Sequence, residues 1–279
     1  MYLKSPFNYI GNKYRLLPQI LPLFPEKCDT FYDMFCGGLD VTINMNSKRK
    51  VANDINHFVI EIMEFFKGKN YEDLIKEIEE TIEKFNLSKE NKESYYLFRD
   101  YYNKNKNPLC LYVLMSFSFN YQFRFNSNLD YNNPAGTDRS SFNPALKNRL
   151  FEFIKKLENI EFLNKNFKDF DYSCIKSNDF IYCDPPYRMS VGSYNDGKRG
   201  FEGWGIKDDL ALFEILDELN ERGIRFALSN VFFNNGFTNK ELAKWSEKYN
   251  VHILKINYEN SNYQRNKLFK TKEVLITNY

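Results

Sequence analysis

The sequence predicts an α/β fold in which one sheet domain is laid down by two stretches of chain, residues 1–56 and 145–279, with a mostly helical insertion at 57–144 between them. Three observations predict it. Short apolar runs that end in glycine or an acid alternate with helical patterns near both ends of the chain. The middle turns first charged and helical, then aromatic and rich in Asn. No apolar run approaches the roughly 18 residues of a membrane span, so a core and not a bilayer must take up the apolar side chains. Those make up 43% of 279 residues, enough for a large core and too many for global disorder. The formal net charge of +2 means that any surface for a polyanion has to be local.

Taken in order, "TFYDMFCGG" (30–38) is a short strand closed by paired glycines, "LDVTINM" has helical potential, and "KRKVANDIN" (48–56) is a second strand ending in acid, a β-α-β opening. From 57 to 107 the pattern is helical; in "YEDLIKEIEETIEKF" the apolar residues at 74, 75, 78, 82 and 85 mark one face and the carboxylates a solvated one. The stretch 108–144, "PLCLYVLMSFSFNYQFRFNSNLDYNNPAGTDRSSFNP", carries Pro and Gly at a turn. Alternation then resumes with "FEFIKKLENIEFLNKNF", the strand before Asp184, the helix "DDLALFEILDELNERG" and the strand "IRFALSN". The final stretch, from Val251, predicts a strand, a polar loop and a last strand, an antiparallel hairpin at a sheet edge.

Chemistry concentrates at strand ends. The five cysteines are scattered and never spaced as C-x-x-C, which predicts buried thiols of a reducing compartment; with only His57 and His252 as histidines, no metal is expected. The N-terminus has no apolar stretch of signal-peptide length, so a soluble cytoplasmic protein is expected, with a monomer favoured. Gly37 and Gly38 form a side-chain-free turn between strand and helix, a pattern shared by plain turns and by ligand loops. Asp54 ends the next strand where nucleoside-binding α/β folds keep an acid for ribose hydroxyls, and the absence of G-x-G-x-x-G favours a nucleoside without a pyrophosphate.

"FIYCDPPYRM" (180–189) ends a strand on Asp184-Pro185-Pro186-Tyr187. Proline cannot donate to a ladder and restricts the residue before it, so the strand stops in a stiff, extended segment with fixed carbonyl directions. A carboxylate beside a rigid carbonyl can grip both hydrogens of an aromatic amine and favour the pyramidal nitrogen of a transition state. An adjacent Tyr187 can stack on a base taken out of a duplex.

With these motifs in order, the chain resembles the Dam-type DNA adenine N6-methyltransferases, the class ordered as cofactor site, target-recognition insert, catalytic tetrapeptide. "SPFNYIGNKYRLLPQI" is similar to that family's N-terminal motif, with Tyr9 and Lys13; "YDMFCGG" and "ANDIN" to its glycine motif and ribose acid; "NFKDF" to its cofactor-adenine contact; and "DPPY" to its catalytic motif. The resemblance implies a Rossmann-like methyltransferase sheet and S-adenosyl-L-methionine as cofactor, in a cleft formed by Tyr9, Lys13, Asp33, Phe35, Gly37, Gly38, Asp54, Asn166, Phe167 and Asp184. Lys13 reads equally as a surface lysine after a helix-opening glycine, and Cys183 as a small packing residue.

The resemblance also implies double-stranded DNA as partner, with base flipping, and a DNA-reading β-hairpin in "FNYQFRFNSNLDYNNPAG". Asn120, Arg124, Asn126, Asn132, Pro134 and Gly136 carry that match, and Tyr121 and Arg139 join the set. Arg124 suits a bidentate grip on guanine O6 and N7, against the plainer reading of a phosphate contact. Asn8 and Gln122 depart from the GATC-reading members, Asn8 where lysine is usual and Gln122 where an aliphatic residue is, so the expected target is GATC or a related site sharing the GA step. A companion restriction endonuclease stays open. The rivals are an amino-methyltransferase acting on RNA or on a protein amide, and a DNA-binding regulator on a dead scaffold.

Overall fold

A computed structural model describes residues 2–136, 140–188, 203–234, 236–255 and 271–279. Arg139 and most of the polar loop before the last strand lie outside the described residues. The sheet comprises β1 (Thr30–Asp33), β2 (Arg49–Asn53), β3 (Ile160–Leu163), β4 (Phe180–Cys183), β5 (Arg225–Asn234), the short β6 (Phe237–Thr238), β7 (Asn250–Ile253) and β8 (Lys272–Thr277). Its order is β3-β2-β1-β4-β5-β8-β7, with β6 paired to β5. The first five are mutually parallel, and β8 runs antiparallel to both β5 and β7. The final hairpin therefore sits at an edge, with β7 outermost. After β3 the chain crosses back to lay β4 beside β1, and Asp33 pairs with Tyr182 in register. That reversal makes the carboxyl ends of β1 and β4 the topological switch point, where open α/β sheets bind ligands.

Burial on both faces explains the near-continuous apolar strands. Along β1 and β4 the side chains alternate: Phe31, Phe180 and Tyr182 join a core with Leu17, Ile20 and Phe24 of the N-terminal segment. Tyr32, Ile181 and Cys183 face Leu212, Phe213 and Leu216 of α7 (Ile206–Glu221). Numbering the earlier helices in chain order, α1 is Leu17–Ile20, α2 His57–Phe66, α3 Tyr71–Lys84, α4 Lys92–Asn105, α5 Pro108–Phe117 and α6 Pro144–Leu157; α8, Lys240–Trp245, follows α7. The amphipathic reading of α3 is met by Leu74 and Ile78, both fully buried. Residues of α2–α6 share one core with Phe7, Leu39, Ile43, Ala52, Ile160 and Phe162, so the helical stretch packs directly on the β2–β3 end of the sheet layer.

Asparagine starts most of these helices. Asn56, Asn70, Asn91, Asn107, Asn143 and Asn239 each accept an amide of the first turn, with Pro108 and Pro144 in that turn where a missing N–H does no harm. Two local expectations change. "LDVTINM" forms only a 3-10 turn at Thr42–Asn44. The hairpin at 118–135 is not a regular ladder but two isolated antiparallel bridges, Phe125 with Tyr131 and Ser118 with Ala135. The left-handed backbone at Asn120, Tyr121 and Leu129 interrupts extension and stops pairing from spreading.

Candidate active site

Three acids meet at the carboxyl ends of adjacent parallel strands: Asp33 closes β1, Asp54 follows β2 and Asp184 follows β4. Asp33 is buried; its Oδ2 accepts the Thr42 hydroxyl at 2.6 Å, while Oδ1 is buried without a partner. The Phe35 amide eases that charge without forming a well-aligned hydrogen bond, and burial, reinforced by Asp184 and Asp54, pushes the carboxyl up to about 7. Asp54 Oδ2 accepts the Gly37 amide and Oδ1 the Asn56 amide, both at 2.8 Å, yet burial still lifts this acid to about 6. The glycine turn is shaped by its neighbours. Gly37 has φ +45°, and a Cβ there would lie 2.8 Å from the Tyr9 ring; one on Gly38 would lie 3.1 Å from the Tyr9 Cβ. The Tyr9 hydroxyl in turn accepts the Asn56 side-chain amide at 3.2 Å, so the N-terminal segment, the glycine turn and the start of α2 form one unit.

Lys13 does not sit at the surface. It is 5% exposed, its Nζ lies 2.6 Å from Asp184 Oδ2, and it donates to the Gly11 carbonyl at 2.8 Å. The Tyr187 hydroxyl donates to Asp184 Oδ1 at 3.2 Å, and the ammonium stands 5.1 Å from the Tyr187 ring centroid. Burial raises the Asp184 carboxyl, and Lys13, then Tyr187, pull it back. Pro185 and Pro186 continue from β4 as the stiff connection expected of them. Cys183 is buried against α7, a packing thiol raised well above its ordinary range by burial.

Just beyond the carboxyl ends of β1 and β3 two aromatic rings pack together. Phe35 and Phe167 have ring centroids 5.6 Å apart, and Asn166 fixes the turn at Phe167 by accepting the Lys168 amide. On the insert, Gln122 and Arg124 are partly exposed while Phe123 and Phe125 are buried, the alternation of extended chain. Phe125 stacks on Phe58 of α2 at 4.0 Å, and Phe123 packs on Phe7 and Tyr9. Asn8 donates to the Asn120 carbonyl at 2.7 Å, bringing the N-terminal motif to the insert. Tyr121 receives the Asn143 amide, Asn126 closes a turn by accepting the Asn128 and Asp130 amides, and the Pro134 carbonyl accepts the Phe119 amide. The Asn132 amide donates to the Arg124 carbonyl, while its own Oδ1 is buried without a partner. Gly136 is forced by space, since a Cβ there would lie 2.2 Å from Ser140.

Residues 9–260 match the model of a family described as D12 class N6 adenine-specific DNA methyltransferase. The chain belongs to that family. It is 50% identical over its full length to type II methyltransferase M.FokI of Planomicrobium okeanokoites and 49% to modification methylase StsI of Streptococcus sanguinis, and it spans 43% of the length of each. Against the DNA adenine methylase of Escherichia coli K12 it is 27% identical, covering 89% of this chain and 86% of that one. The methyl donor of the D12 methyltransferases is S-adenosyl-L-methionine.

Within this D12 chain, several residues that organise the site carried no sequence signal. Asn53 staples β2 to its neighbours, donating to the Met34 and Lys165 carbonyls and accepting the Lys165 amide. Buried Asn133 donates to the Phe119 and Gln122 carbonyls and so shapes the backbone that presents Arg124. Among the described residues no cluster of His, Cys, Asp and Glu could hold a metal ion, and no helix is long and apolar enough to cross a membrane.

Proposed function

We propose that this chain transfers a methyl group from S-adenosyl-L-methionine to adenine N6 in a short, GA-containing double-stranded DNA site, GATC or a related sequence, with the adenine turned out of the duplex. One observation carries the reading: a largely buried carboxylate, Asp184, paired with Lys13 and fixed on a Pro-Pro segment, stands at the switch point with Asp33, Asp54 and the Phe35–Phe167 pair. The donor set suits the cofactor. Asp33 Oδ1 is a buried acceptor lacking a partner and complements an ammonium. The Asp54 oxygens each take a single amide, which leaves lone pairs for ribose hydroxyls. Phe35 and Phe167 offer flat apolar walls to an adenine ring, with Gly37, Gly38, Tyr9 and Asn166 shaping the cleft around them.

When bound, the cofactor supplies a methyl group activated by a positively charged sulfur. Asp184 and the Pro185 carbonyl accept hydrogens of the adenine amine and favour its pyramidal form, in which the lone pair is free of the ring. Lys13 keeps the carboxylate ionised as an acceptor, and Tyr187, held to Asp184 through its hydroxyl, presents its ring to the base. Pro186 locks the segment that carries both. Arg124 and Gln122, with Asn8, Asn120, Tyr121, Asn126, Asn132, Pro134 and Arg139, form the DNA-facing set, and Arg124 reads a guanine edge. The likeness to proteins named as type II and modification methylases supports a companion restriction endonuclease and a cytoplasmic setting. The test is transfer of labelled methyl from S-adenosyl-L-methionine to duplex DNA and to RNA by the purified chain, with the sites then mapped by sequencing DNA from an expressing host. N6-methyladenine at one short motif is expected; transfer to RNA alone, or to neither, overturns the reading.

A further inference from the structure

Trp204 joins the Phe35–Phe167 pair. Its ring lies 5.5 Å from Phe35 at 80° and 5.2 Å from Phe167 at 38°, so the three rings pack on one another as a single cluster. The indole is not left to find this place by packing alone. Its Nε1 donates to Asp209 Oδ1 at 2.7 Å, and Asp209 is a charged residue only 1% exposed in the first turn of α7. A carboxylate so deeply buried needs partners, and its other oxygen faces an amide and a guanidinium. Oδ2 accepts the Asn239 side-chain amide at 3.3 Å and faces Arg188 Nε at 3.7 Å. Arg188 directly follows the Asp-Pro-Pro-Tyr segment, and its Nη2 also donates to Asn239 Oδ1 and to Glu241 Oε2, at 3.1 and 2.6 Å. Asn239 is itself fixed as the cap of α8. One buried carboxylate thus holds the Trp204 indole with one oxygen and faces Arg188, just after the Asp-Pro-Pro-Tyr segment, with the other.

Resting on the methyltransferase reading above, we infer that Trp204 is the third wall of the pocket for the cofactor's adenine, and that Asp209 is a positioning residue that orients its indole and ties it to the catalytic segment through Arg188. The chain has two tryptophans, and the other, Trp245, stacks on Phe213 with no ring contact to Phe35 or Phe167 among the described residues. Fluorine NMR of the 5-fluorotryptophan-labelled chain therefore gives two resonances, assigned by Trp204→Phe.

Titration with S-adenosylhomocysteine is expected to move the Trp204 resonance, saturating at the dissociation constant found by calorimetry, while Trp245 stays in place. Trp204→Ala should weaken binding by about tenfold, the loss of one stacking wall, while Trp204→Phe should stay within about threefold because it keeps a ring. Asp209→Ala should weaken binding and broaden the Trp204 resonance, and Asp209→Asn, which keeps an acceptor for the indole, should restore both. If Asp209→Ala fails to fold, the Trp204 pair and Asp209→Asn still decide the matter. Binding by the wild-type chain with an unmoved Trp204 resonance, or undiminished binding by Trp204→Ala, overturns this inference alone. No binding by the wild-type chain overturns the methyltransferase reading together with it.

Discussion

At the scale of single residues, the site is a problem of keeping buried acids in useful charge states. In the proposed mechanism Asp184 is ionised to accept amine hydrogens, yet burial opposes its charge, and Lys13 at 2.6 Å supplies the main compensation. Replacing Lys13 by Met leaves that carboxyl buried without its cation, so its pKa rises further. The acid limb of the kcat/KM profile should then move to higher pH, with activity lost as pH falls through the raised value; an unmoved limb in Lys13→Met would make the ion pair incidental to catalysis. Asp184→Ala should abolish transfer while S-adenosyl-L-methionine binding by calorimetry stays near wild type, because its proposed role belongs to the amine in the transition state. Near-normal turnover in that variant would remove Asp184 from the mechanism. Asp54→Ala should raise the dissociation constant for the cofactor tenfold or more, on the basis of roughly 1.5 to 3 kcal/mol for a hydrogen bond to a charged group. Unchanged affinity would reduce Asp54 to a clasp for the Gly37 and Asn56 amides.

At the scale of elements, the segment 118–135 joins local irregularity to a defined outward face. Phe123 and Phe125 anchor it in the α2–α6 core, and Asn133 and Tyr131 hold the Gln122 carbonyl, so Arg124 projects from a braced backbone. Arg124→Ala is expected to cut methylation of the cognate duplex far more than that of its single-base variants at the guanine, flattening the preference. A phosphate contact would instead weaken all duplexes equally and reduce the salt slope by about one counterion. Methylation of the four duplexes across several salt concentrations separates the two, and uniform loss would sink base reading. This segment also marks where sequence reading stops. The strand ends were legible because an apolar run stopped by Gly-Gly or Asp-Pro-Pro permits few other structures. The Phe123/Arg124/Phe125 alternation was legible for the same local reason. The isolated bridges were not, since left-handed backbone at Asn120, Tyr121 and Leu129 depends on contacts such as Asn8 to the Asn120 carbonyl, made across the fold. Nor was Trp204 beside Phe35, because only the fold brings them together, while Lys13 and Asp184 were placed in one cleft by the family resemblance and not by any local pattern.

At the scale of the whole molecule, the parallel sheet gathers its acids at one end, and this arrangement should be visible in stability as well as in catalysis. In the folded chain burial raises Asp33 to about 7 and Asp54 to about 6, whereas an unfolded aspartate titrates near about 3.9. The sign follows from linkage. Between the unfolded and folded values the native state binds more protons, so these groups contribute stability that is full below about pH 4 and lost as pH rises through about 6 to 7. At pH 8 the fold carries ionised carboxylates in a buried setting, and Asp33 is the most exposed to this cost because its Oδ1 lacks a partner. Asp33→Asn keeps an acceptor for the Thr42 hydroxyl and removes the charge. It should raise the thermal midpoint at pH 8 by on the order of 5 °C, from a few kcal/mol of relieved charge burial, and by less than half of that at pH 5. The same substitution should weaken S-adenosyl-L-methionine binding, since the oxygen left unpartnered in the fold is the one proposed to complement the cofactor's ammonium. Thermal scans from pH 5 to 8, with calorimetry at pH 8, test both halves. Equal midpoints for wild type and Asp33→Asn at pH 8 would mean that the sheet end bears no charge strain. A stabilised variant with wild-type affinity would mean that the strain serves no ligand.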